Sequence, residues 1–563
     1  MYRPMLSIVA GLALALILAA CAPTAVDPPG PLAIGLDGDG TDQLVDRGEQ
    51  TGDMPWWNDR VFYEIFVRSF NDSDGDGIGD LQGVIERLDY LNDGDPTTTT
   101  DLGITGIWLM PVAQSPSYHG YDVTDYRSIE EDYGTNEDFR QLMEEAHQRG
   151  IVVIVDLVLN HTSTEHPWFS DARTGGEFED WYVWSEEHPG YGGPWGEPAW
   201  HSAGGRFYYG VFWSGMPDLN FENDAVTQEM IDVSRFWLED LGADGFRLDA
   251  IKHMIEDGQR QENTDATKAW LASYNAAIDE ISADAFTVGE VWTSTDEILE
   301  YVGSAVDIAF EFDLAEAMLA AAGNGERGPI AIGHGVVTAS YPAGQYATFL
   351  TNHDQDRVLS QLGEDVEANK LAATLLLTSP GVPFIYYGEE IGMLGEKPDE
   401  RIRTPMHWDD TARTAGFTEG NNVWERLAPK HETYNVADQT GDPDSLLSHY
   451  RNLIHLRNSH AALRIGDFVK VRSDTSEVYA FMRTYEDSSF LILLNMSDQD
   501  VSDFNLTLEA PVFEDTPEAT LVYGPISLEG GVTAPAIGNG IFSGYNPIGS
   551  LPPQSSWIIE FTD

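Results

Sequence analysis

Cysteine is nearly missing from this sequence: Cys21 is the only one in 563 residues, so no intramolecular disulfide can form. Cations are scarce as well. Six lysines are present, and all 30 basic residues together face 94 acidic ones, for a net charge of −64. Binding to nucleic acid, or to an anionic membrane through a basic patch, is excluded by that balance. Self-repulsion of this size is best tolerated where salt screens it. Beyond the first twenty residues there is no apolar run long enough to span a bilayer. Hydrophobic residues at 42% and charged residues at 22% nevertheless give a globular composition.

The apolar run Ile8 to Ala20 follows a single Arg3 and has the form of a secretory signal. It ends Leu18-Ala19-Ala20-Cys21, which resembles a bacterial lipobox, in which the cysteine is lipidated and becomes the mature N-terminus. Residues 1–20 are thus expected to be a lipoprotein signal peptide, with Cys21 the lipidation site. The protein is expected to be extracytoplasmic, held to the membrane by that anchor alone, and monomeric. Residues 21–53, with Pro28-Pro29-Gly30-Pro31 and no apolar periodicity, make a flexible tether.

From Val61 onward, short apolar runs alternate with stretches of helical period. The runs are Val61–Val67, Ile104–Pro111, Ile151–Asn160, Gly245–Ala250, Phe286–Trp292, Val306–Phe312, Tyr346–Asn352 and Val382–Tyr387. Eight of them predict an α/β fold, a (β/α)8 TIM barrel over 54–460. The connection after the third run is much longer than usual and rich in Trp, Gly and Pro, so 162–223 is expected to be a small inserted domain. After a helix at Ser445–Arg457 the period changes to two. Residues 461–563 are therefore expected to form a C-terminal antiparallel β-sandwich domain.

In such a barrel the reactive groups sit where strands end at the carboxyl face. Four runs end in carboxylates or imidazoles: Asp156 to Asn160-His161, Arg247-Leu248-Asp249, Gly289-Glu290 and Asn352-His353-Asp354. A charge placed directly after buried aliphatics is costly unless it is paired or functional. Arg247 lies two residues before Asp249, so on a strand both face the same way and the guanidinium can keep the carboxylate ionised.

These motifs resemble the conserved regions of the α-amylase family, glycoside hydrolase family 13. Asp156 to His161, Gly245 to Asp249, Val288 to Glu290 and Asn352 to Asp354 are similar to its first four regions. Met216-Pro217-Asp218-Leu219-Asn220 resembles a fifth, in the variant of a group intermediate between oligo-1,6-glucosidases and neopullulanases that includes bacterial α-amylases. The resemblance implies a retaining hydrolase of α-1,4-glucosidic bonds in starch, glycogen or maltooligosaccharides. It implies Asp249 as nucleophile, Glu290 as general acid/base and Asp354 as the third carboxylate. It further implies sugar contacts for His161, Arg247, His353, Arg403, and for Tyr121 and Asp122 in the loop Tyr118-His119-Gly120-Tyr121-Asp122. Lys252 and His253 would lie on the leaving-group side; Asp122 and Arg403 would reach the distal end of the glucose at the cleavage site, and the structural alternative, compatible with this, is that they pair with each other and close the pocket.

Retention of all three carboxylates speaks against a noncatalytic glucan-binding protein. An exo-acting α-glucosidase and a 4-α-glucanotransferase of the same family remain alternatives. Ala250 after the nucleophile, where α-1,6-specific relatives usually carry Val, favours α-1,4 hydrolysis.

The stretch Asp72-Ser73-Asp74-Gly75-Asp76-Gly77-Ile78-Gly79-Asp80 spaces carboxylates two apart, suiting oxygen coordination of Ca2+. Gly83 stands at the twelfth position, where an EF-hand needs Glu. Resemblance to the calcium loop of oligo-1,6-glucosidase-like members implies Asp72, Asp74, Asp76, the Ile78 carbonyl and Asp80 as ligands. A second calcium site, known in many amylases around an Asn matching Asn160, is left open.

Overall fold

The computed structural model describes residues 54–524 and 531–562; Cys21, the signal and the tether lie outside the described residues. Eight parallel strands follow one another round a barrel: β1 (Phe62–Ile65), β2 (Gly106–Leu109), β3 (Val152–Leu157), β4 (Gly245–Leu248), β5 (Phe286–Gly289), β6 (Ile308–Ala309), β7 (Ala347–Thr348) and β8 (Val382–Tyr386). β8 pairs with β1, with Phe62 opposite Phe384. The seam between β6 and β7 is a single parallel bridge, Phe310 to Ala347. All eight predicted runs contain a barrel strand, though the sixth and seventh strands are only two residues long.

Period two decides what enters the barrel. Phe62, Trp108, Val152, Ile154, Phe286, Val288, Ile308, Phe310 and Phe384 form an apolar interior separate from the larger core outside the strands. Continued by two residues toward the carboxyl end, the same faces carry Glu64, Asp156 and Glu290, and on β4 they carry Arg247 and then Asp249. The charged layer therefore rests directly on an apolar floor of aromatic and aliphatic side chains.

The long connection after β3 carries a three-stranded sheet of Trp184–Ser185, Arg206–Tyr209 and Trp200–Ala203, with its own small core at Ala199, Trp200, Tyr209 and Val211. It returns to the barrel through a bridge from His161 to Asp218, beside an internal bridge from Tyr182 to Leu219. Ser445 caps the predicted helix, observed at Leu446–Ser459, by accepting from Ser448 N.

Beyond it, β9 (Asp467–Ser473), β10 (Val478–Tyr485), β11 (Ser488–Asn495), β12 (Leu506–Leu508), β13 (Glu518–Tyr523), β14 (Ser543–Tyr545) and β15 (Ser555–Thr562) form one hydrogen-bonded antiparallel sheet, ordered β13-β15-β11-β10-β9-β12-β14. Alternation along β10 splits its two faces. Tyr479 and Phe481 join the main core, while Val478, Ala480 and Met482 belong to this unit's own core.

Candidate active site

Arg247 is the hub of the charged layer. It is 1% exposed, and Nη1 donates to both oxygens of Asp156 at 2.9 Å and to Asp249 Oδ1 at 2.7 Å. Nη2 donates to Glu290 Oε2 at 2.7 Å. One planar fork thus fixes three carboxyls that come from three strands, a geometry a point-like ammonium does not supply.

Directly after Asp249 the chain turns through Ala250, which sits at φ 50°, ψ 32°. A left-handed alanine stores strain. The turn aims the Ala250 N–H at Glu290 Oε2, 3.0 Å away.

The two central carboxyls are both shifted upward. Burial is the main cause at Glu290; Arg247 opposes it, Asp249 and Asp354 add to it, and the group is pushed up to about 7. Asp249 is also raised by burial, with Arg247 pulling it back through their direct bond. Asp156, which anchors the far side of Arg247, is raised by burial to about 7.

Asp354 behaves oppositely. Burial alone would raise it, but His353, Arg403 and Lys397 outweigh that and hold it well below the usual carboxylate range. Arg403 Nη2 donates to Asp354 Oδ1 at 2.7 Å, and Arg403 Nε donates to the His353 carbonyl at 2.9 Å. His353 stands between Glu64, whose Oε1 is 2.5 Å from Nδ1, and the Tyr121 hydroxyl, 2.6 Å from Nε2. Burial pushes its imidazole well below the ordinary value against the pull of Asp354.

The loop before Tyr121 turns at Gly120, whose φ is 82° and where a Cβ would lie 2.9 Å from Pro111. Tyr121 then stacks on His353 at 5.5 Å and donates to Asp156 Oδ2 at 3.0 Å. His161 Nε2 lies 3.1 Å from the Tyr121 carbonyl, and burial lowers its pKa to about 4. Lys252 pairs with Glu262 at 2.8 Å and reaches the Trp292 carbonyl at 2.9 Å. His253 Nδ1 is 2.8 Å from the Gln261 carbonyl.

The alternative pairing of Asp122 with Arg403 is not made. Asp122 does not bond Arg403; it is buried and accepts from Ser115 Oγ at 2.8 Å and from Ser117 Oγ. The reason is local: two hydroxyls a few residues upstream satisfy Asp122, while Arg403 is taken by Asp354 and by Asp399 at 3.3 Å.

In the acidic loop, Asp72, Asp74 and Asp80 bring carboxylate oxygens within 4.8 Å of one another. Asp76 is outside that group and accepts from Ile78 N at 2.8 Å. The all-oxygen donor set fits a hard cation.

The loop also joins the site by a path the sequence does not reveal. Asp72 N donates to the Phe417 carbonyl and Trp424 N to the Gly77 carbonyl, each at 2.9 Å. Trp424 stacks on Tyr118 at 5.3 Å and donates from Nε1 to Ser69 Oγ at 2.9 Å. Ser69 donates in turn to the Arg403 carbonyl at 2.5 Å.

At the junction of insert and barrel, Asp218 is buried beside Asn160 and raised well above its ordinary value by burial and Glu256. Its Oδ2 and Glu256 Oε1 have no hydrogen-bond partner.

Glu64 was missed as a site residue, although a lone acid inside Phe62-Tyr63-Glu64-Ile65 marks it. Ser115, Ser117 and Trp424 carry no comparable sequence signal.

The comparisons agree with this geometry. A family model described as the alpha amylase catalytic domain matches residues 64–466. The chain is 38% identical over 455 residues to Alpha-amylase 3 of Dictyoglomus thermophilum, covering 79% of this chain and 86% of that protein. It is 34% identical over 550 residues to an oligo-1,6-glucosidase of Heyndrickxia coagulans, covering 83% and 97%. The crystal structure of an alpha-amylase from H. orenii matches with a TM-score of 0.77 at 40% identity, over 90% of this chain and 99% of that one. With its eight-stranded barrel and the carboxyl cluster at the strand ends, the chain belongs to the alpha-amylase family and is a glycosidase of that family.

Proposed function

We propose that the protein is a retaining α-1,4-glucan hydrolase of α-amylase type, with Asp249 as nucleophile and Glu290 as general acid/base. The observation that carries this reading is the binding of both carboxyls to one guanidinium, with Glu290 poised near 7. Asp249 Oδ1 and Glu290 Oε2 each accept at 2.7 Å from the two terminal nitrogens of the same guanidinium. That close pairing supports a retaining enzyme, whose carboxyls stand about 5–5.5 Å apart, over an inverting one, where they stand roughly 6.5–9.5 Å apart.

In the first step an Asp249 oxygen bonds the anomeric carbon while Glu290 protonates the departing glycosidic oxygen. In the second step Glu290 takes a proton from water, which displaces Asp249 with net retention. Asp354, held ionised by Arg403, accepts from sugar hydroxyls, and Tyr121 and His353 form the wall against which the ring lies. Arg247 keeps Asp249 available as the anion.

The α-1,4 preference is supported by Ala250 and by identities of 38% and 40% to proteins named alpha-amylase, against 34% to an oligo-1,6-glucosidase. An exo-acting α-glucosidase or a glucanotransferase is the second reading, because Asp122 and Arg403, which the resemblance assigns to the distal end of the glucose at the cleavage site, are both buried. A time course of products from maltoheptaose and from an end-blocked maltooligosaccharide decides. Endo-hydrolysis predicts cleavage of the blocked substrate and water-derived products; inertness toward it would assign the chain to the second reading.

Asp72, Asp74 and Asp80 are proposed to hold Ca2+, with the remaining oxygens coming from the same loop. The cation would order the loop and, through the Gly77–Trp424–Tyr118 and Trp424–Ser69–Arg403 contacts, the sugar-binding wall. Ligand binding to the native state raises stability by mass action. Excess chelator is therefore expected to lower Tm by several degrees and to raise KM more than it lowers kcat. A Tm and KM both indifferent to chelator, with Asp74→Ala equally silent, would remove calcium from this loop.

A further inference from the structure

Glu64 takes no part in the two bond-changing steps, yet it is buried among the groups that do. Alternation along β1 puts Phe62 in the apolar floor and Glu64 one layer above it. An acid there has no water to hold its charge. Its partner is His353, whose Nδ1 lies 2.5 Å from Glu64 Oε1. The imidazole is fully buried, stacked on Tyr121 with 15° between the ring planes and met edge-on by Trp108 at 5.6 Å. It is therefore held with Nδ1 toward Glu64 and Nε2 toward Tyr121 and Asp354.

The hydrogens along this line have one consistent arrangement. Asp156 accepts from Arg247 Nη1 on both oxygens, at 2.9 Å each, as a carboxylate anion does. The Tyr121 hydroxyl donates its single hydrogen to Asp156 Oδ2 at 3.0 Å. Its oxygen can then only accept, from Arg247 Nη1 at 3.5 Å and from His353 Nε2 at 2.6 Å. Asp354 Oδ2, 3.3 Å from Nε2, is an acceptor too. Nε2 therefore bears a hydrogen.

Two states satisfy Nδ1: a neutral imidazole accepting from a protonated Glu64, or an imidazolium facing a carboxylate. Burial favours the neutral pair, because two charges without water each carry a desolvation cost. Glu64 is faced by Arg247 from β4, Asp156 from β3, His353 and Asp354 beyond β7, and Tyr386 from β8. Burial raises it well above the usual carboxylate range; Arg247 opposes this, and Asp354 and Asp156 add to it. Burial pushes His353 down, with Arg403, Arg247 and Lys397 on the same side and Asp354 against.

We propose that Glu64 is a protonated positioning residue whose O–H donates to His353 Nδ1 and fixes the imidazole as the Nε2–H tautomer, aiming its one donor at Tyr121 and Asp354. Hydrogen bonds then run one way, from Glu64 to His353 to Tyr121 to Asp156, and end at the guanidinium that holds Asp249. Without the Glu64 proton a neutral ring would move its hydrogen to Nδ1. Nε2 would then present a lone pair to the Tyr121 oxygen and to the Asp354 carboxylate, and the sugar wall would lose its order. The effect on catalysis rests on the α-glucan reading above; the position of the proton does not.

Infrared difference spectra of the parent and Glu64→Gln at neutral pH read the proton directly, since a protonated carboxyl has a carbonyl stretch that a carboxylate lacks. Kinetics on maltoheptaose are measured for Glu64→Gln and Glu64→Met, side chains of similar length of which only the first offers a donor. The expected spectrum has a protonated-carboxyl band in the parent that is missing from Glu64→Gln. Glu64→Met should lower kcat/KM by at least about tenfold, the scale of one buried hydrogen bond left unmade. Glu64→Gln, whose amide N–H replaces the O–H, should recover most of that loss and keep the pH at which kcat/KM falls.

Absence of the band overturns the proposal. So does a Glu64→Gln variant as impaired as Glu64→Met or with a displaced pH limb, which would mean that Glu64 works as an anion. Parent-like kcat/KM in Glu64→Met overturns it as well. If Glu64→Met does not fold, the band and the Glu64→Gln pH profile decide. Failure of the glucan reading shows separately, as no cleavage of maltoheptaose by the unsubstituted chain while the band persists.

Discussion

Asp249→Asn and Glu290→Gln are each expected to lower kcat on maltooligosaccharides by at least about a thousandfold while leaving the circular dichroism spectrum unchanged. Asparagine keeps the bond from Arg247 but removes the anion that must attack carbon. Glutamine keeps the bond from Ala250 N but has no transferable proton. The two losses differ on an activated substrate. With α-glucosyl fluoride the departing fluoride needs little protonation, so Glu290→Gln should recover much of the first step and Asp249→Asn none. Retention of more than about a hundredth of the rate by either variant on maltoheptaose would refute the roles.

The pH profile follows from the same pair. Glu290 must carry its proton for the leaving group, so kcat/KM should fall as pH rises through about 7. Glu290→Gln should lose that limb on α-glucosyl fluoride.

The second large effect is expected at Arg247. Its replacement by Leu leaves Asp156, Asp249 and Glu290 buried without their shared cation. Breaking a buried ion pair from one side costs roughly 3–5 kcal/mol, because the remaining charge has neither water nor partner. Three carboxyls can soften this by taking up protons, as their raised pKa values foreshadow. Arg247→Leu should therefore melt well below the parent at pH 8, with a smaller gap at pH 5, and be inactive at both. Arg247→Lys should restore much of the stability and little of the activity, since one ammonium cannot bond Asp249 and Glu290 from two separate nitrogens. A denaturant midpoint for Arg247→Leu equal to that of the parent at pH 8 would show that the hub is not a structural keystone.

Much of the site was legible because strand chemistry is local. Period two fixes which side chains of Arg247-Leu248-Asp249 share a face, and a carboxylate closing an aliphatic run is visible in a single window of sequence. Glu64 escaped for the opposite reason. It sits inside a run rather than at its end, and its meaning comes from His353, 289 residues away. Whether Asp122 pairs with Arg403 could not be read from sequence, because residue type shows what an arginine can bind and not which acid reaches it first. Asp354 is 49 residues before Arg403 and lies closer in space. In the calcium loop, Asp72, Asp74 and Asp80 gather their carboxylates within 4.8 Å of one another, while Asp76 stands outside that group, a difference the two-residue spacing does not show.

The sequence by itself determined the barrel, the insert and the terminal sheet, because hydrophobic periodicity and strand length are properties of neighbouring residues. It placed carboxyls at the strand ends for the same reason, and the family resemblance singled out Asp249, Glu290 and Asp354 among them. Only the tertiary structure decided how they are tuned. Burial raises Glu290 and Asp249, Arg403 holds Asp354 down, and one guanidinium links strands 91 and 43 residues apart in sequence. Trp424 reaches Ser69 across 355 residues, tying the acidic loop to the sugar wall. Electrostatic shifts and long-range contacts depend on distance and on exclusion of water, and neither exists until the barrel has closed.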